Sequence, residues 1–341
     1  MRRKTLLLFA AMFCTFVLAA GEAYNFYFIA DPHLGPATSF DMSESNPFRT
    51  KKKIDRDDKT ATIFNDMMKD ISAKKDAQSK FIISGGDLIE GGTGGKAMHA
   101  KTLQDAIDRV TSLSGLPLHL TNGNHDDWGQ GGPEAFKEVA FANARKLGIT
   151  EIREPGLNYT FTQGPDLFIF VDFHTEGSNS ISNMMKFLKT VKPGQYRYVF
   201  IVTHSPFFCG GATSLGIVEK LARYNAIVLC GHSHQTFLLR YQSEKGKASQ
   251  FMNAAFISSK KGYRNERSGV DAYWQHRIDA SKSEAGKAKV REQKKLWDGK
   301  LVDYWEVRGW GYSRLEVSDD GVKVVTQSVK LDDPPIVRTL L

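Results

Sequence analysis

Leu116-Pro117-Leu118-His119-Leu120-Thr121-Asn122-Gly123-Asn124-His125-Asp126 is an apolar run that stops abruptly at a cluster of metal- and proton-handling side chains. The apolar part predicts a short buried strand, Leu116 to Leu120. The polar part then sits at that strand's carboxyl end. Open α/β sheets place their ligand sites at that edge.

Working outward, the same grammar recurs four more times. Tyr24 to Ala30 ends in Asp31-Pro32-His33, and Phe81-Ile82-Ile83 runs into Gly85-Gly86-Asp87. Residues 198–203 end at His204, and Ala226 to Leu229 run into Cys230-Gly231-His232-Ser233-His234. Five of the nine histidines lie at these strand ends. Asp31-x-His33 and His232-x-His234 are i, i+2 pairs, whose members point to one side of an extended strand. Taken singly, each signal has an ordinary explanation: Asp-x-His is commonly a turn, and Asn-Gly tolerates positive φ. All five, in order and each behind a strand, predict one shared site.

Between these strands the apolar period changes from two to 3.6. Helices are predicted at 59–73, 97–113, 133–146, 180–190 and 214–224, and further strands at 157–162, 166–172, 236–241 and 251–257. The stretch 36–58, with Pro36, Pro47 and Lys51-Lys52-Lys53, reads as a loop. The tail alternates apolar and polar over 303–317 and 321–329 around the hairpin signal Asp319-Asp320-Gly321. Alternating strands and helices without a Pro/Ser linker predict one layered α/β domain over 24–330.

Composition limits the alternatives. The 341 residues are 41% hydrophobic and 25% charged, which excludes a disordered or collagenous chain. Three Cys exclude a disulfide-framework mini-protein. No repeat of fixed period points to a solenoid. Arg2, Arg3 and Lys4 precede fifteen uncharged, mostly apolar residues, Leu6 to Ala20. At 1.5 Å per residue that run spans about 22 Å, short of the hydrocarbon core. It reads as a signal peptide over 1–20, cleaved after Ala20 or Ala23, and predicts an exported protein, periplasmic or extracellular. Export leaves Cys209 and Cys230, which form either a bridge or two small thiols.

The formal charge of +8 falls to +5 without Arg2, Arg3 and Lys4. Residues 260–299 carry eleven Lys/Arg against six Asp/Glu, so the excess lies in that one segment. A nucleic-acid track spreads its charge along a groove, and none is expected here. The segment reads as a basic insertion, mobile or helical, with Ala285 to Trp297 its best helix. It is either a solvated face or a contact for an anionic substrate or lipid headgroups. Trp274, Trp297, Trp305 and Trp310 near it offer stacking or interfacial insertion. Glu90 to Lys96 is Gly-rich, but Glu90 and Ala97 break the phosphate-loop pattern. His174 follows a strand and is either a surface residue or a substrate contact.

Asp31-x-His33, Gly86-Asp87, Gly123-Asn124-His125-Asp126, His204 and Gly231-His232-x-His234 together resemble the calcineurin-like metallophosphoesterase superfamily, Asp-x-His group. The resemblance implies an α/β fold, a four-layer αββα sandwich with a C-terminal β-extension. It implies two divalent metal ions, and the mixed imidazole and carboxylate set suits Mn, Zn, Fe or Co. By resemblance, Asp31, His33 and His234 hold the first metal, Asn124, His204 and His232 the second, and Asp87 bridges them. His125 would assist the leaving group while a metal-bridging hydroxide attacks phosphorus in line. The implied substrate is a small anionic phosphate ester, monoester or diester, soluble or lipid-linked. A nuclease of the same superfamily and a metal-free scaffold are the alternatives.

Departures from neighbouring groups bear on substrate. Gly91 stands where protein Ser/Thr phosphatases have an Arg, and Glu90 where purple acid phosphatases have a Tyr. The latter also lack the histidine found here at His33. About forty residues follow 299, so the large C-terminal domain of exported 5′-nucleotidases is not expected. What remains resembles the cyclic-nucleotide, nucleotide-pyrophosphate and sphingomyelinase-like phosphodiesterases. Oligomeric state is not legible.

Overall fold

The computed structural model describes residues 21–35, 51–92, 95–208, 212–253, 263–309 and 311–341. The expected signal peptide, most of the 36–58 loop, Cys209 and Trp310 lie outside these residues.

In chain order the elements are β1 (Tyr24–Ile29), α1 (Lys51–Lys74), β2 (Ser79–Ser84), α2 (Lys96–Ser114), β3 (Leu118–Leu120), α3 (Gly132–Lys146), β4 (Tyr159–Gln163) and β5 (Asp166–Val171). Then come α4 (Phe173–Glu176), α5 (Ser178–Leu188), β6 (Val199–Thr203), α6 (Ala212–Ala222), β7 (Ala226–Cys230), β8 (Thr236–Ser243) and β9 (Gly246–Asn253). The chain finishes with β10 (Arg264–Ser268), α7 (Val270–Ala280), α8 (Glu284–Leu296), β11 (Leu301–Arg308), β12 (Gly311–Ser318), β13 (Gly321–Ser328) and β14 (Ile336–Thr339).

The strands form two mixed sheets. One has the order β14-β13-β12-β1-β2-β3 and the other β10-β11-β8-β9-β7-β6-β5-β4. β1, β2 and β3 are mutually parallel, and so are β5, β6, β7 and β9. Parallel neighbours bring their carboxyl ends to one edge, which is how residues 200 positions apart come to share a rim. Strands covered on both faces read as continuous apolar runs: all six residues of β1 and all five of β6 and β7 are buried.

The sheets pack face to face through aromatic side chains. Phe26 of β1 meets Phe168 and Phe200 edge-on at 5.5 and 5.4 Å. Each such side chain contributes roughly 1.5–3 kcal/mol on burial. Ile63, Phe64, Met67 and Met68 of α1, with Leu103 and Val110 of α2, join the same core. A second core lies beyond the eight-stranded sheet, where Met184, Val218 and Leu221 pack with Trp274 and Trp297. The result is the four-layer αββα order, helices outside and sheets within.

Four expectations change. Lys51-Lys52-Lys53 opens α1 rather than closing a loop. Alternation over 303–317 conceals two strands, β11 and β12. β14, beyond the expected domain limit, pairs with β13 in the first sheet. The basic segment is not an excursion from the fold: β10 extends the second sheet, and α7 and α8 cover it. Trp274, Trp297 and Trp305 are 2%, 3% and 1% exposed. They therefore hold the segment down and are not offered to a base or an interface. A short charged strand at the sheet edge, with Arg264, Glu266 and Arg267, resists edge-to-edge pairing.

Candidate metal centre

Every strand end singled out in the sequence does reach one rim. Asp31 and His33 follow β1, Asp87 follows β2, Asn124 and His125 follow β3, His204 follows β6, and His232 and His234 follow β7. The backbone there is locally unusual. Asp31, His33, Asp87, His232 and His234 have φ of 54°, 49°, 51°, 80° and 51°. Non-glycine residues in this left-handed region are uncommon, and strain of about 1–3 kcal/mol each persists only where surrounding structure enforces it. The strand grammar predicted an extended i, i+2 geometry for the two pairs. The observed left-handed turns replace it, because the chain must leave the sheet at those residues.

Two groups of donors result. In the first, ligand atoms of Asp31, His33, Asp87 and His234 all lie within 4.8 Å of one another. His33 Nε2 is 3.2 Å from His234 Nε2 and 3.6 Å from Asp87 Oδ2. His234 Nε2 is 3.4 Å from Asp31 Oδ1. In the second, His204 Nε2 is 3.1 Å and His232 Nδ1 3.0 Å from Asn124 Oδ1, with 3.2 Å between the two nitrogens. Asp87 Oδ2 belongs to both groups, since it also lies 3.2 Å from His204 Nε2. Asp87 Oδ1 is turned away and accepts from the His125 backbone N–H at 2.7 Å.

The donor chemistry fits cations. His204 Nδ1–H donates to the Gly85 carbonyl at 2.9 Å, which leaves Nε2 as the ring nitrogen able to ligate. Lone pairs on two imidazoles and an amide oxygen, converging at 3.0–3.2 Å, repel unless a proton or a metal lies among them. Without metal a proton takes that place. Burial works against the His204 charge, but Asp87 beside it prevails and lifts its pKa to about 9. Burial would likewise raise Asp87, but His204 and then His33 hold its carboxyl low, at about 2. Close approach at this edge also excludes side chains: a Cβ on Gly123 would overlap the Asp87 carboxylate.

His125 stands just outside both groups. Its Nδ1–H donates to the Glu90 carbonyl at 2.8 Å, so Nε2 is the atom left for an incoming group. The Glu90 carboxylate Oε2 lies 3.1 Å from His33 Nδ1, an ion-pair distance without hydrogen-bond geometry. Asp126 is buried and accepts from Ile89 N–H at 3.1 Å and Gly123 N–H at 2.9 Å. It thereby ties the loop after β2 to the loop after β3. Burial, then the Asp87 charge, push its pKa up to about 8. His174 pairs with Asp127 at 2.9 Å, and that contact raises its pKa against the effect of burial.

Sequence reasoning missed Glu90, Asp126 and Asp127 as supports. Asp126 lies inside the Gly123–Asp126 motif and Glu90 stands out only as a departure from other patterns, while Asp127 is signalled by adjacency alone. It also missed Trp128, 57% exposed, whose ring meets His125 at 5.5 Å. His119, unassigned in the sequence, is a core residue stacked on Phe161 at 4.2 Å, and burial pushes its pKa down to about 4. Cys230 is buried, its Sγ 3.7 Å from the Phe251 carbonyl oxygen. A cavity of about 490 Å³ beside β4 and α5 is lined by Phe170, Met184 and Phe187 and borders none of the eight rim residues.

The pattern of the calcineurin-like phosphoesterases matches residues 24–236, a span that holds every one of these motifs. The chain belongs to the calcineurin-like phosphoesterase family. Among solved structures, this phosphoesterase superposes on PhoD with a TM-score of 0.51 at 12% identity, covering 94% of its own length and 69% of PhoD. GAP50, described as the anchor in the inner membrane complex of Plasmodium, gives 0.45 at 14% identity over 93% and 88%. The NAD nucleotidase NadN of Haemophilus influenzae gives 0.38 at 12% identity over 94% and 50%. At such identities the likeness is one of fold. No curated protein matches the chain.

Proposed function

We propose that this phosphoesterase hydrolyses a small phosphate ester with two divalent metal ions, drawn from Mn, Zn, Fe and Co. Asp31, His33 and His234 would hold one ion and Asn124, His204 and His232 the other, with the Asp87 carboxylate available to both. The observation that carries the reading is a single oxygen of that carboxylate, Oδ2, 3.6 Å from His33 Nε2 and 3.2 Å from His204 Nε2, at the junction of two donor groups. When bound, such a pair of ions neutralises phosphoryl oxygens and activates water at neutral pH.

The remaining tasks fall to the chain itself. The Gly85 carbonyl fixes the His204 tautomer, and the Glu90 carboxylate stands at ion-pair distance from His33. His125, with Nδ1–H engaged by the Glu90 carbonyl, presents Nε2 to the leaving oxygen; in its imidazolium form it carries a second proton on Nε2, delivers that proton to the leaving oxygen and is left neutral. The Arg2–Lys4 cluster and the apolar run to Ala20 support export through a cleaved leader. A mature chain beginning at Gly21 or Tyr24 on N-terminal sequencing is the expected result.

The test pairs metal analysis of the purified protein with turnover of p-nitrophenyl phosphate and bis-p-nitrophenyl phosphate in Mn, Zn or Fe. About two metal equivalents and metal-dependent hydrolysis of at least one ester are expected. A protein that binds neither metal nor turns over either ester overturns the proposal.

A further inference from the structure

Trp128 is the part of the rim that the metal chemistry leaves unused. Exposed apolar residues scattered singly are ordinary. Phe187, Leu296, Val302 and Val337 are of that kind, and they lie on α5, α8, β11 and β14, away from the strand ends that form the rim. Trp128 differs in three respects. Its indole stands edge-on to His125, centroids 5.5 Å apart and planes at 73°. Its backbone is fixed on both sides, since Trp128 N–H donates to the His125 carbonyl at 3.3 Å and its own carbonyl accepts from Gly92 N–H at 2.7 Å. The six-membered part of the ring lies against Gly92, where φ is 68° and an added Cβ would sit 3.1–3.5 Å from three ring carbons. With one side seated on glycine backbone and 57% of the residue exposed, the indole presents an open surface beside the His125 ring.

An exposed indole held in place beside a proton donor is a stacking surface. Rigid aromatic side chains provide large contact area at low entropic cost, and base–aromatic stacking tolerates any planar ring. The loop supplies polar partners too. Asp127 bears His174 at 2.9 Å and accepts from Asn122 Nδ2 at 3.0 Å on the neighbouring position.

We infer that Trp128 is the leaving-group platform of this enzyme: the alcohol released from phosphorus carries a planar unsaturated ring, as in a nucleoside or aryl ester, which stacks on the indole while His125 Nε2 meets the ester oxygen. The inference rests on the two-metal hydrolase reading and narrows its substrate class. It assigns Trp128 to substrate binding and leaves the phosphorus chemistry to the residues already named.

The experiment compares the wild-type holoenzyme with Trp128→Ala and Trp128→Phe on p-nitrophenyl phosphate and glycerol 2-phosphate, which share a phosphate and differ in the ring. The ratio of kcat/KM for the aryl ester over the aliphatic one is expected to fall about tenfold in Trp128→Ala, the scale of one stacking contact. Most of the ratio should return in Trp128→Phe. The change should fall on KM rather than kcat. An unchanged ratio, or an equal loss on both esters, overturns the platform, the second pointing to a disturbed His125. Independently of turnover, adenosine 5′-phosphate should quench tryptophan emission saturably in wild type and lose that effect in Trp128→Phe, with ribose 5-phosphate as the ring-free control. Trp274, Trp297 and Trp305 are buried, so the exposed indole among the described tryptophans gives the signal. If no ester is hydrolysed but the ring-dependent quench persists, the hydrolase reading fails and the leaving-group role falls with it, leaving Trp128 as a ring-binding surface only. Hydrolysis without a ring-dependent ratio or quench overturns the platform and leaves the hydrolase standing.

Discussion

Two tryptophan-bearing regions of this chain have opposite fates. The loop 122–128 is polar, short and rich in groups suited to turns, yet it leaves Trp128 more than half exposed beside His125. The segment 264–299 is basic and resembles a solvated insertion, yet it buries Trp274 and Trp297 almost completely. The difference lies in what each backbone can reach. The loop projects from the carboxyl end of β3, at the rim between layers. The segment lies on the outer face of the eight-stranded sheet, where Tyr304, Leu301 and Leu239 offer an apolar floor. Local composition reports how a segment would behave alone, whereas burial depends on what it lands upon.

Substitutions in each region test that contrast. The largest effect is expected at the junction of the rim. Asp87→Ala removes the oxygen common to both donor groups, so paired metal binding should be abolished and hydrolysis reduced to background, read by metal content and turnover. Two metals retained per chain would contradict the shared role of Asp87.

His125→Ala should lower kcat by about 10²–10⁴-fold while metal content stays near that of wild type. Loss of both metals in that variant would make His125 a structural member of the centre instead of a proton donor.

Trp274→Ala tests the second region. It should cost about 3–5 kcal/mol on denaturant unfolding, the range for emptying a buried aromatic site. A loss below about 1 kcal/mol would restore the mobile insertion. Deletion of 260–299 is a poor substitute, because it strips Trp274 and Trp297 from the core along with the charge.

A smaller, graded effect is expected from pH. His204 carries a proton in the metal-free pair with Asp87, its pKa raised from 6.5 to about 9 after burial is overcome. Metal must displace that proton. Affinity should therefore fall as pH drops below about 9, with at least one proton released per centre formed and a further one where His234, raised by Asp31, is also protonated. Calorimetry in buffers of different ionisation enthalpy measures the release. In the metal-free protein the sign is reversed. The raised pKa contributes stability that is full below about pH 6.5 and lost as pH rises through about 9. A metal-free Tm that rises over that interval would refute the pairing.

The least effect belongs to exposed charge on α8. Lys287 and Lys294 already pair with Glu284 and Asp271 at 2.8 Å. Lys289→Gln with Lys295→Gln should change kcat/KM less than twofold at any salt concentration. A steep salt dependence in wild type, lost in the double variant, would return the segment to substrate capture.

Much of the fold is legible in the sequence because its strands are fully buried. Tyr24 to Ala30 and Ala226 to Leu229 are unbroken apolar runs, and each ends at a polar cluster. The eight rim residues are visible for the same reason. Lys51-Lys52-Lys53 resembles a loop because a run of like charges carries no apolar period. Residues 303–317 look like one alternating stretch although they hold parts of two strands, since period-two alternation continues past the turn at Gly309. Glu90 stands out in the sequence only as a departure, from the phosphate-loop pattern and from another family's tyrosine. Its contact with His33 depends on where the loop after β2 turns.

Five strand ends with side chains able to ligate, and a layered α/β order, are readable from the amino-acid string, because apolar period and chemical type are one-dimensional properties. Tertiary structure decided the rest. It joined the two donor groups through one oxygen of Asp87, closed the basic segment over the second core, and left Trp128 uncovered beside His125. Those outcomes depend on distances between segments up to 200 residues apart, which no local pattern encodes.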